Sequence, residues 1–127
     1  MNRYIGIPFA DGEPSLAGAN CITLVELIYR EKLGVPIHPI RIPHGQKNRA
    51  FMQFLTEVSE RWEAIDTPEE FCVVAMAHDP RRPDLIQHFG IYLGNDIMLH
   101  TLQKVGAHTV RLSKMKSFIR GYYRWRS

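Results

Sequence analysis

Cysteine is scarce in this chain: 127 residues carry two, Cys21 and Cys72. Neither lies in a C-x-x-C or other metal-type spacing, which excludes a disulfide framework and a cysteine-rich metal knuckle. Long apolar runs are absent too, and none approaches the ~20 residues that cross a bilayer. The opening "MNRYIGIPFADGEP" has no apolar core of a secretory signal. The expectation is a chain without an export signal of its own and with no membrane partner. Internal repeats, low-complexity tracts and linkers are also missing, so residues 1–127 read as one domain, long enough to bury a core without staples. Charge of either sign is not in large excess; the formal balance is +3. The basic, aromatic tail "RLSKMKSFIRGYYRWRS" reads as a solvated segment, and no nucleic-acid partner is expected. Mild positive charge suits an anionic polymer or an acidic partner surface.

What is present begins with "LAGANCITLVELIYREKLG", residues 16–34. Ile22, Leu24, Val25, Leu27 and Ile28 are apolar, while Glu26, Arg30, Glu31 and Lys32 fall mostly toward the other side of a helix. Asn20 suits the N-cap and Gly34 the stop. A rival start at Thr23, boxed by Glu26, would leave Cys21 just outside. In both cases Cys21 stands at the positive end of a helix, where a thiol is stabilised as thiolate. The alternative is a small hydrophobe that packs well there. "VPIHPIRIPHGQ" reads as an extended connection, and Phe51, Phe54, Leu55, Val58 and Trp62 at helical spacing predict a second helix. "FCVVAMA" is a continuous apolar run of strand length, predicted as a central strand with Cys72 buried in it.

The segment "HFGIYLGNDIMLHT" carries the sharpest pattern, two strand-like runs about the turn Gly94-Asn95-Asp96. Strands at "HTVRL" and "GYYRW" follow. Helices first and antiparallel strands afterwards predict an α+β domain. Six histidines are present, and His88 and His100 are the two whose relation can be worked out. Along a strand His88, Gly90 and Tyr92 share a face. A three-residue loop pairing Leu93 with Ile97 puts His100 opposite Gly90 and diagonal to His88. A two-residue loop at Asn95-Asp96 would throw His100 to the other face. The first register gathers two imidazoles on one face, expected to turn toward Cys21. A thiol at a helix start and two such imidazoles are the parts of a nucleophile, its base and an orienting group. They could also form a Cys/His/His zinc site.

"YIGIPFADGEPSLAGANCITLVELIYREKLGVPI", "HFGIYLGNDIMLHT" and "GYYRW", in that order, resemble the NlpC family of papain-like cell-wall cysteine endopeptidases, in its branch associated with phage tail tips. The resemblance implies a papain-like α+β fold with N-terminal helices packed on an antiparallel sheet. It implies hydrolysis of amide bonds in peptidoglycan stem peptides, with no cofactor and no metal. By position Cys21 would be the nucleophile, His88 the general base and His100 the residue that orients it. Partners would be the stem peptide and phage tail-tip proteins. The chain would be made in the bacterial cytoplasm and delivered to the wall as part of a virion tail. Three substrate-side positions depart from the family pattern: Asn20 replaces Asp, Ile22 replaces Ser or Trp, and Phe9 replaces Tyr. These departures support an alternative, a tail-tip structural component on the same fold whose catalysis is weak or lost.

Overall fold

The computed structural model describes residues 2–37, 61–84 and 86–126. A short 3-10 turn at Asn2–Tyr4 precedes a wrapped segment that leads to helix α1, Cys21–Ile28, which continues as a single π turn, Tyr29–Leu33. Gly34 ends it with φ +65, the left-handed geometry expected of a helix stop. Six strands follow among the described residues: β1 Trp62–Ile65, β2 Val73–Met76, β3 His88–Gly94, β4 Ile97–Leu102, β5 Gly106–Arg111 and β6 Ile119–Trp125. They form one sheet in the order β1-β6-β2-β3-β4-β5, with every described pairing antiparallel. The α+β architecture of a helix packed on an antiparallel sheet is as the sequence predicts.

The apolar run of β2 is central: Val73, Val74, Ala75 and Met76 are fully buried between neighbours β6 and β3. Its odd positions Val73 and Ala75 join Phe89, Ile91 and Leu99 under Leu24, Leu27 and Ile28 of α1. Its even positions Val74 and Met76 join Met98 and Leu112 in a second cluster, with Tyr92, Phe118 and Tyr122 against it. Apolar burial on both faces contributes about 1.5–3 kcal/mol per large side chain, and explains a strand without polar alternation.

Two expectations need correction. Residues 51–58 of the expected second helix, together with His38 and His44 of the extended connection, lie outside the described residues. Trp62, assigned to that helix, instead opens β1 and pairs with Trp125. Its ring stands edge-on to Trp125 at 5.2 Å and against Tyr29 at 5.3 Å. Its place four residues after Val58 mimics a helical face, whereas aromatic cross-strand contacts hold it in the sheet. Of the polar side expected of the helix, Arg30, Glu31 and Lys32 are exposed in the π turn, but Glu26 is not. All eight residues of α1 are buried, including Glu26, which an Arg30 guanidinium approaches at 3.9 Å.

Candidate active site

The start of α1 is built by its cap. Asn20 is extended, and its Oδ1 accepts from the backbone N–H of Ile22 at 3.0 Å and of Thr23 at 2.9 Å. The Thr23 hydroxyl accepts in return from the Asn20 N–H at 2.8 Å. The capping box is therefore Asn20–Thr23, not Thr23–Glu26, and Cys21 is the first helical residue. Such a cap is worth about 1 kcal/mol. Asn20 Nδ2 donates to the Asp11 carboxylate at 3.1 Å.

The segment before the helix is stitched to the sheet. Gly6 N–H donates to the Ala107 carbonyl and Ala107 N–H to the Ile7 carbonyl, at 2.7 and 2.8 Å. Ala19 N–H then donates to Pro8 at 3.0 Å, and Ala10 N–H to Ala19 at 3.2 Å. Gly18 is needed in this crossing because a Cβ there would stand 2.7 Å from that of Ala10. Cys21 is thereby fixed near the β5 edge, 2% exposed, in one cluster with Phe89, Ile91 and Leu99. Ile22 and Asn20 are buried as well. Phe9 is half-buried and lines a hollow of about 340 Å³ with Gly6, Pro8, Lys104, Val105 and Gly106.

The hairpin keeps its register by a different route from the one the sequence suggested. Gly94, not Leu93, pairs with Ile97, so the turn is the two-residue Asn95-Asp96. Both have positive φ, +52 and +64, which matches the twist of a tight hairpin. A bulge between Tyr92 and Gly94 inserts the compensating residue, and Gly90 still faces His100. The tip is held by the Asp96 carboxylate, which accepts from the Ser113 N–H at 2.9 Å and the Ser113 hydroxyl at 2.6 Å. Those bonds lower the Asp96 pKa.

His88 Nε2 and His100 Nδ1 are 2.8 Å apart, one donating and the other accepting. Both rings are buried. His100 is pushed down to about 4, first by burial and then by the neighbouring His108 and His78, so it is neutral at pH 7 and suited to accept from His88. Opposite His100, Gly90 leaves room for the Met98 side chain. A Cβ there would stand 2.6 Å from the Met98 sulfur and 3.2 Å from the Leu99 carbonyl.

The two imidazoles thus share a face, as parity requires, and that face is the one carrying Tyr92 and Met98. Cys21 packs with residues of the opposite parity. Among the described residues, no three His, Cys, Asp or Glu side chains converge in a way that would hold a metal ion.

The whole described architecture superposes on that of the NlpC/p60 domain of the peptidoglycan hydrolase SagA. The TM-score is 0.63, covering 97% of this chain and 91% of that one at 14% identity. The fold is that of an NlpC/p60 domain. No protein-family profile matches the chain, and no curated protein matches it in sequence. Within the NlpC/p60 fold, sequence reasoning missed two residues beside the pair, His78 and His108. Carrying the register on through the 103–105 turn would have found His108, because it pairs directly with His100.

Proposed function

We propose that the chain is a cysteine peptidase that hydrolyses amide bonds in peptidoglycan stem peptides. The observation that carries this reading is the buried His88–His100 contact at 2.8 Å in an NlpC/p60 fold whose capped helix begins with a thiol. His88 Nε2 is committed to His100, which assigns Nδ1 to the thiol. The helix terminus and an imidazolium on His88 stabilise the Cys21 thiolate. The thiolate adds to the peptide carbonyl, and backbone N–H groups at the start of α1 receive the oxyanion. His88 gives its proton to the departing amine, and water then cleaves the thioester with His88 as base. Asn20, Ile22 and Phe9 stand on the substrate side. The tail-tip partners, and delivery to the wall within a virion tail, rest on the resemblance of residues 4–37, 88–101 and 121–125 to the phage branch.

A second reading has its own observation: Cys21 is 2% exposed, in one cluster with Phe89, Ile91 and Leu99. On that reading the domain is a structural tail component with little or no turnover. Mass spectrometry of muropeptides after incubation with purified peptidoglycan separates the two. New amine termini with the natural chain but not with Cys21→Ala establish the peptidase. No product from either, with the fold intact, establishes the structural role.

A further inference from the structure

Four imidazoles stand in one row across the sheet. His78, in the segment after β2, lies 4.7 Å from His88 between ring centres, and Phe118 backs it at 5.2 Å. His88 and His100 are 5.1 Å apart, and His108 on β5 closes the row 4.5 Å from His100. The inner two rings are buried and the outer two half-buried. His108 is itself anchored: its Nδ1 donates to the Gly106 carbonyl at 2.9 Å, which places the proton on that nitrogen in the neutral ring.

We propose that His78 and His108 are positioning residues that clamp the His88–His100 pair from its two ends. A hydrogen bond between two imidazoles does not by itself remove each ring's freedom to turn about its own side-chain bonds. Packed rings on the outer sides remove that freedom. His108 has a second effect, because it lies against His100 and lowers its pKa. The groups facing His100 are His88 from β3, His108 from β5 and His78 from the segment after β2. Burial first, and then the neighbouring His108 and His78, hold the inner ring neutral, and so able to accept from His88. The clamp deepens the catalytic reading above and rests on it for its use, but its geometry can be tested without turnover.

The test compares His108→Phe, which keeps a ring and removes the charge, with His108→Ala, which removes both. Nitrogen and proton NMR of the imidazoles reads the proton shared by His88 and His100 and the pH at which His100 titrates. The natural chain and His108→Phe should show the shared proton, and His108→Ala should lose it. In His108→Phe the His100 midpoint should rise by about one pH unit as the like charge disappears. The corresponding His78 variants should behave alike for the shared proton. A folded His108→Ala that keeps the shared proton overturns the clamp. A His108→Phe protein in which His100 titrates as before overturns the charge effect, and this arm decides even if the alanine variant does not fold. Absence of peptidase turnover in the natural chain, with these signals as expected, would overturn the function and leave the clamp standing.

Discussion

Asn20→Asp would restore the carboxylate that the resemblance expects beside the nucleophile, and the structure says what it costs. The new side chain can still cap α1, because aspartate accepts from the Ile22 and Thr23 N–H groups as asparagine does. Its second oxygen, however, takes the place of an amide that now donates to Asp11 at 3.1 Å. Two carboxylates at that separation repel by about 1 kcal/mol in water and about 5 kcal/mol at an effective dielectric of 20. Position 20 is buried while Asp11 is exposed, so the net destabilisation at pH 7 should be about 1–3 kcal/mol. The sign with pH follows from proton counting. Repulsion raises one folded-state pKa above the unfolded value near ~4, so the folded protein holds an extra proton in the window above it. Stability relative to the natural chain should therefore fall as pH rises from about 4, and well below that a shared proton restores the bond. Urea unfolding at pH 4 and pH 7 measures this, with Asp11→Asn added to Asn20→Asp as the second arm. A penalty equal at both pH values, or one that survives removal of the Asp11 charge, would refute the reasoning.

Three further outcomes follow from the geometry. The two thiols should differ: burial pushes Cys72 up to about 11, so it should resist alkylation until unfolding, whereas Cys21 should label in the folded protein at pH 6; equal rates in intact protein would contradict this. Gly90→Ala should destabilise by about 1–3 kcal/mol, because its Cβ meets both Met98 and the Leu99 carbonyl; an unchanged urea midpoint would count against that packing. His100 binds its proton near pH 4 when folded but near ~6.5 when unfolded, so the unfolded state takes up more protons between those values. Stability should then decline by up to about 3 kcal/mol as pH falls through that window, and His100→Asn should flatten the slope; an equal slope in both proteins would place the effect elsewhere.

The helix start and the hairpin were legible because both are local. Asn20 caps within three residues, and strand parity carries His88 and His100 to one face once Gly90 and His100 are opposed. The turn itself was misread: a tight Asn95-Asp96 turn and a bulge cancel, and nothing in a one-dimensional pattern announces a bulge that restores register. Trp62 was misread for a similar reason, since three-and-four spacing cannot distinguish a helical face from an aromatic that pairs across a sheet with Trp125.

Burial and face are collective properties, and they divide what the chain encodes locally from what folding adds. Residue order by itself determined the α+β class, a helix with Cys21 at or beside its start and the parity of the imidazole pair. Each depends on contacts only a few residues apart or on strict alternation. Only the tertiary structure decided that Glu26 is buried, that Asp11 meets Asn20, and that His78 and His108 extend the pair into a row of four. It also decided that Cys21 is buried in one cluster with Phe89, Ile91 and Leu99 of the sheet. Those relations join elements far apart in sequence, and their distances depend on how the sheet, α1 and the wrapped N-terminal segment pack together.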